Sequence, residues 1–242
     1  MHSQAKPSGS TKLQLVLTKP YHCLVTGFDA FGDALINPSE ILVESLPEHL
    51  KLPKRKEKLA LHTMVLPSCG EDAWVALAAA LQEVPADEKL VLVITGWAAK
   101  RRYISLERFA LNIRDYRIAD NGGYEWNGEQ IEKHGPEALR TSVALEAIAK
   151  TMNRKGYPTE ISNHAGTFVC NETYYRALSI CQKLRRDASV LFVHIPSPSI
   201  FAKTIRDKEI TRMLPKIRGI VNQEKLLMEA VLDLVTQVCL LG

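Results

Sequence analysis

The run KLVLVITG, Lys89 to Gly96, constrains the fold of this chain more than any other stretch. Between its lysine and its glycine the residues are almost all apolar, several of them β-branched. The run is too short for a preferred helix, and no polar alternation marks a face turned to water. It predicts a strand buried on both sides, as in a parallel sheet covered by helices. HCLVTG (His22 to Gly27) and VLFVHIP (Val190 to Pro196) are runs of the same kind, and LALHTMVL (Leu59 to Leu66) alternates like a strand.

Helical patterns fill the intervals. Asn37, Pro38 and Glu40 suit the N-cap, first and third positions of one helix. Ser68 and Glu71 have capping-box spacing before a face of Trp74, Leu77, Ala78 and Leu81. PEALRTSVALEAIAKTMNRKG predicts a third helix, with Leu139, Val143 and Ala147 on one face and Gly156 and Pro158 as stops. TEISN predicts a short strand. CNETYYRALSICQKLRR predicts a helix with Ala177, Leu178, Cys181 and Leu184 on one face, and NQEKLLMEAVLDLVTQVCLL a closing amphipathic helix. ISLERFALNIRDYRI (Ile104 to Ile118) reads as extended in its first part, ending at the turn ADNGG. Strands and helices thus alternate from end to end. The expected architecture is one α/β domain, a three-layer α/β/α sandwich around a mainly parallel, mixed, twisted sheet, over residues 20–242. Residues 1–19, rich in Ser, Gly, Pro and Lys, read as a flexible tail.

Composition narrows the function. The net charge of +4 is spread over 31 basic and 27 acidic residues, which argues against a nucleic-acid partner. The cluster KLPKRKEK, Lys51 to Lys58, reads as a solvated loop. No apolar run of membrane-spanning length occurs, and the first residues lack the apolar core of a secretory signal. Five cysteines, an odd number with no CxxC, suit reduced thiols in the cytoplasm. No metal spacing, P-loop, GxGxxG or GxSxG pattern appears, so neither a metal nor a cofactor is expected.

Cysteine chemistry remains. Cys23 falls in a strand, and Cys181 and Cys239 fall on apolar helix faces, so all three read as core. Cys69 and Cys170 lie near helix starts, where free N–H groups and the helix dipole stabilise a thiolate. A cysteine nucleophile needs a base, usually histidine. His164 is close to Cys170 in sequence, and His194 sits at the end of a buried strand, the edge where α/β folds bind ligands. Glu107, inside the apolar ISLERFAL, is the most conspicuous acid, because a carboxylate there must be paired.

Taken together, four segments are similar to those of the pyroglutamyl peptidase type I (pyrrolidone-carboxylate peptidase) family. They are VTGFDAFGDALINPS, ISLERFALNIRDYRIADNGG, SNHAGTFVCNETYY and FVHIP, in the family's order. The resemblance implies a cysteine omega-peptidase that removes N-terminal pyroglutamate from peptides through a thioester, without cofactor or metal, acting in the cytoplasm as a monomer or a homo-tetramer. It implies Cys170 as nucleophile, His194 as its ion-pair partner and proton donor to the leaving amine, and Glu107 as the acid orienting His194. It also implies a pocket built from Phe28, Phe31, Arg117, Ile118, Phe168 and Val169, with Arg117 and the Cys170 N–H holding the oxyanion. The sequence departs from the family pattern at GWAAKRRY, where Trp97 and Tyr103 replace small residues, at SPSIF after the histidine segment, at ADN and in GFDAFGD. A weak relative that binds modified N-termini, or a hydrolase of small lactams or amides, would share these segments.

Overall fold

The computed structural model describes residues 20–53, 58–184, 186–206 and 222–242. The expected tail and residues 54–57 of the basic cluster Lys51 to Lys58 lie outside them.

In chain order the elements are β1 (Tyr21–Phe28), α1 (Pro38–Glu44), β2 (His49–Lys51), β3 (Lys58–Leu66), α2 (Gly70–Gln82), β4 (Lys89–Trp97), β5 (Ile104–Leu111), β6 (Arg114–Asp115), β7 (Asn127–Glu129), β8 (Ala138–Arg140), α3 (Leu145–Arg154), β9 (Thr159–His164), α4 (Val169–Lys183), β10 (Ala188–Ile195), α5 (Pro198–Arg206) and α6 (Gln223–Leu241). The main sheet runs β2-β3-β1-β4-β10-β5, with β8 and β9 both pairing with β5. Its centre is parallel: β3 and β4 flank β1, and β10 lies beside β4. β5 joins β10 antiparallel and β9 parallel. β6 and β7 form a separate small hairpin sheet.

Period-two alternation sorts the central strands into two cores. Leu90, Leu92 and Ile94 of β4, with Val190 and Phe192 of β10, pack against α2 and α4. Val91, Val93, Leu191, Val193 and Ile195 pack on the other face, under α1, α3, α5 and α6. Helices therefore cover both faces, as the three-layer reading expects. His194 follows Val190 and Phe192 in the same alternation, so it lies on the side of the sheet that α4 covers. No helix among the described residues is long and apolar enough to cross a membrane.

Local signals held where their partners are local. Asn37 caps α1, its side chain accepting from the Ser39 N–H at 3.0 Å, with Pro38 at the first position. They failed where partners come from afar. The expected helix over Pro136 to Gly156 is only α3. Ala138–Arg140 instead pairs with β5, and the Thr141 hydroxyl donates to Val190 O at 2.6 Å. With Leu139 and Val143 outside the helix, the buried face becomes Leu145, Ile148, Ala149 and Met152, while Ala147 is exposed. Ser68 does not cap α2. Its hydroxyl donates to Asp29 O at 2.9 Å, and the Gly70 N–H is met by the Asp120 carboxylate at 2.9 Å. SPSIF opens α5, a helix that the sequence reading left out.

The turn after β1 depends on close approach. A Cβ added at Gly27 would fall onto the backbone carbonyl of Ser39. That contact lets the Ser39 hydroxyl accept from the Phe28 N–H at 3.0 Å, tying α1 to β1. Gly27→Ala is expected to lower the stability of the fold by about 3 kcal/mol, read as a shift in the urea unfolding midpoint, because backbone has to move to admit the methyl. An unchanged midpoint would refute the packing described.

Candidate active site

Parallel strands end together at one edge of the sheet, and the site forms there. Gly96 of β4 lies beside His194 of β10 in register, and Ser105 of β5 lies on the other side of His194. Glu107, two residues further along β5, projects to the same face as Ser105. α4 crosses that face and starts at the same edge. Register alone thus brings Glu107, His194 and the start of α4 to one place.

Glu107 is completely buried, and His194 is 6% exposed. The His194 Nδ1 lies 2.7 Å from Glu107 Oε1, and Arg101 Nη1 lies 2.8 Å from the same oxygen. A buried, unpaired carboxylate would cost several kcal/mol, so both contacts belong to the fold as much as to the site. Because a carboxylate only accepts, Nδ1 carries the proton and Nε2 is left free. Arg101 comes from the turn after β4. Nothing in the KRRY run singled it out, since three adjacent cations carry no spacing that tells which one turns inward.

Cys170 lies in the first turn of α4, which begins at Val169, one residue before the expected segment CNETYYRALSICQKLRR. Its amide N–H falls outside the helical bonding pattern. Asn171 instead clamps α4 to β5: its side chain accepts from the Leu111 N–H at 2.8 Å and donates to the carbonyls of Leu111 and Ile113 at 2.9 and 3.0 Å. Glu172, also buried, accepts from the Tyr116 hydroxyl at 2.7 Å and from Arg176 at 2.8 and 2.9 Å, and Arg114 lies 3.5 Å from it. The Arg114 guanidinium stacks on Trp126 at 3.7 Å. This network fixes the β6–β7 hairpin to the helix that carries Cys170. Gly96 gives the sulfur room, since a Cβ there would sit 3.1 Å from Cys170 Sγ and 2.8 Å from Phe192 Cζ.

None of the five cysteines is in a disulfide, and Cys170 alone among them is not buried. It lines a cleft of about 740 Å³ together with His194, Arg101, Phe31, Phe168 and Ile118. Phe31 and Phe168 meet edge to face at 5.2 Å, and Tyr116 backs Phe168 at 4.3 Å. Arg117 also lines the cleft, from an exposed position. Phe28 and Val169, expected as pocket walls, are each 3% exposed and belong to the core beneath, where Phe28 packs on Phe192 and Phe192 on His194. They support the site from behind because each belongs to an element end that points inward. His164 lines the same cleft, but its Nδ1 accepts from the Gly166 N–H at 3.2 Å. Among the described residues, no group of His, Cys, Asp or Glu is arranged to hold a metal.

The electrostatics favour a neutral resting pair. Burial pushes the Cys170 thiol up to about 12, with the Glu107 charge adding to the rise, against the pull of its own N–H and of Arg101. Burial also lowers His194 below its ordinary value, against the opposing effect of Glu107, and Arg101 adds to the lowering. Arg101 already balances the Glu107 charge, so the imidazolium gains less from that carboxylate than it would alone. Both shifts run against the standing thiolate–imidazolium pair implied by the resemblance.

In sequence and in fold, the chain is similar to known proteins. The pyroglutamyl peptidase family model matches residues 21–230. A pyrrolidone-carboxylate peptidase of Vibrio parahaemolyticus is 36% identical over 177 residues, 72% of this chain and 77% of that one. One from Brevibacillus brevis is 34% identical over 173 residues, with the same coverage. The crystal structure of pyroglutamyl peptidase I from Bacillus amyloliquefaciens superposes with a TM-score of 0.72 at 26% identity, over 90% of this chain and 96% of that one. A mutant pyrrolidone carboxyl peptidase from Pyrococcus furiosus gives 0.72 at 29%, over 90% and 97%. By sequence and by fold, this chain belongs to the pyroglutamyl peptidase family.

Proposed function

We propose that the chain is a cysteine omega-peptidase that removes N-terminal pyroglutamate from peptides. The observation that carries the proposal is the fully buried Glu107 carboxylate 2.7 Å from His194 Nδ1, in a cleft that also holds the partly exposed Cys170. A binder of modified N-termini would have no use for a buried acid holding one histidine tautomer beside a thiol.

The pyroglutamyl ring is an uncharged lactam, suited to the aromatic and aliphatic wall of Phe31, Phe168 and Ile118. Cys170 Sγ attacks the pyroglutamyl carbonyl carbon while its proton passes to His194 Nε2. The imidazolium so formed is stabilised through Nδ1–H by Glu107. The Cys170 N–H at the helix start faces the developing oxyanion. Arg101, anchored on Glu107 within the cleft, is better placed to assist than the exposed Arg117. Nε2–H then protonates the leaving amine as the C–N bond breaks, which leaves a thioester. His194 next takes a proton from water, which cleaves the thioester and releases pyroglutamate.

A fluorogenic pyroglutamyl amide tests the reading. The wild-type chain is expected to cleave it. Cys170→Ala is expected to lose on the order of 10⁶-fold in kcat, and Glu107→Gln on the order of 10⁴-fold, because orientation is graded and the nucleophile is not. Absence of cleavage by folded, reduced protein would refute the activity, and equal losses would refute the ranking. The neutral pair gives a separate expectation. With the thiol raised to about 12, the thiolate fraction grows with every pH unit below that value. Alkylation of Cys170 by iodoacetamide in the empty enzyme should therefore keep accelerating as pH rises from 6 to 9, as a rate-against-pH profile would show. A plateau below pH 7 would instead reveal a standing ion pair.

A further inference from the structure

Two of the departures from the family pattern meet in space. Trp97 is the last residue of β4, and Ser197 is the second residue after β10. The Trp97 indole Nε1–H donates to Ser197 Oγ at 3.0 Å. Ile195 lies beside Trp97 in register, and the Ala98 N–H donates to Ile195 O at 2.9 Å. The indole bond thus extends the β4–β10 pairing past both strand ends. On one side of it the chain turns through Ala98, with the Arg101 N–H on Ala98 O at 2.9 Å, and delivers Arg101 to Glu107. On the other side lies His194, three residues before Ser197.

Ser197 also precedes Pro198 and accepts the first helical bond of α5 through its carbonyl, from the Phe201 N–H at 2.9 Å. That is an N-cap position, where a serine hydroxyl ordinarily serves the helix. Here it serves Trp97. Neither residue is fully buried, so water can take over a broken bond at small cost to the fold. What water cannot replace is the relation between the two loops.

We propose that Trp97 and Ser197 act as a positioning pair that latches the Ala98–Arg101 turn to the strand end carrying His194, and so sets the distance of Arg101 from Glu107 and the imidazole. Neither residue lines the cleft, so both act through Arg101 rather than on substrate. The charged and titratable groups around His194 are Glu107 from β5, Arg101 from the turn and Cys170 from α4, with Asp115, Arg117 and His164 also lining the cleft. The Arg101 cation disfavours the imidazolium, so loosening the latch raises the basicity of His194.

The inference rests on the peptidase reading, and its test has one readout with substrate and one without. Trp97→Phe keeps the ring and removes the donor, whereas Ser197→Ala removes the acceptor. Each is expected to lower kcat on a pyroglutamyl amide by about three- to tenfold, with KM changed less than about twofold, and to move the acid limb of kcat/KM to higher pH. Ser197→Thr keeps the hydroxyl and should restore both. The double variant should be no worse than the worse single one. In the absence of substrate, the His194 imidazole titration followed by NMR, assigned by its loss in His194→Gln, should shift upward in both single variants. That readout stands even if the amide is not cleaved, in which case the peptidase reading fails and the latch does not. Unchanged His194 titration in folded Ser197→Ala, losses that multiply in the double variant, or a Ser197→Thr as impaired as Ser197→Ala would each overturn the latch.

Discussion

One buried carboxylate organises the active end of this protein. Glu107 is fully enclosed, and it is tolerated because His194 and Arg101 both reach its Oε1, at 2.7 and 2.8 Å. Each contact meets a need of the fold and of the chemistry together. The bond to Nδ1 satisfies a buried acceptor and fixes the tautomer that leaves Nε2 free. The ion pair with Arg101 balances the charge and brings a guanidinium into the cleft. Sharing one acid between two partners has a consequence: the imidazole is held firmly but is not made strongly basic. Burial shifts both the Cys170 thiol and the His194 imidazole toward their neutral forms.

The rest of the scaffold sets where the helix carrying that sulfur can lie. Asn171 satisfies three backbone groups at the end of β5, and Glu172 gathers Tyr116, Arg114 and Arg176. Both side chains are buried in the first turn of α4, directly after Cys170. A buried polar group with all its partners present specifies one arrangement, because any shift leaves a donor or acceptor unmet. Cys170 thus inherits its position from its two neighbours in sequence. Gly96, beside it on β4, leaves the space that the sulfur fills.

The central strands were legible because burial on both faces writes itself as an unbroken apolar run. That is true of β4 and β10, and Asn37 showed α1 through contacts two and three residues away. Elements that depend on distant partners were not legible. Asp120 meets the start of α2 across 50 residues, which local spacing at Ser68 and Glu71 cannot reveal. Ala138–Arg140 is a strand only because β5 offers an edge. Within the site, Glu107 stood out as a charge in an apolar run, and the four-segment resemblance pointed to Cys170 and His194. Arg101 did not stand out, because its neighbours Lys100 and Arg102 are equally charged and only the turn chooses between them. Phe28 and Val169 carry the right chemistry for a pocket wall but sit one layer beneath it.

The central claim is that Cys170 is the nucleophile served by the Glu107–His194 pair, and acid quenching tests it most directly. A pyroglutamyl substrate with a good leaving group, mixed with the enzyme and quenched in acid within the first turnovers, should leave a pyroglutamyl thioester. Peptide mass spectrometry should find it on the fragment containing Cys170, and it should be absent after Cys170→Ala. An adduct on another residue, or steady product release with no adduct at Cys170 at any quench time, would contradict the account.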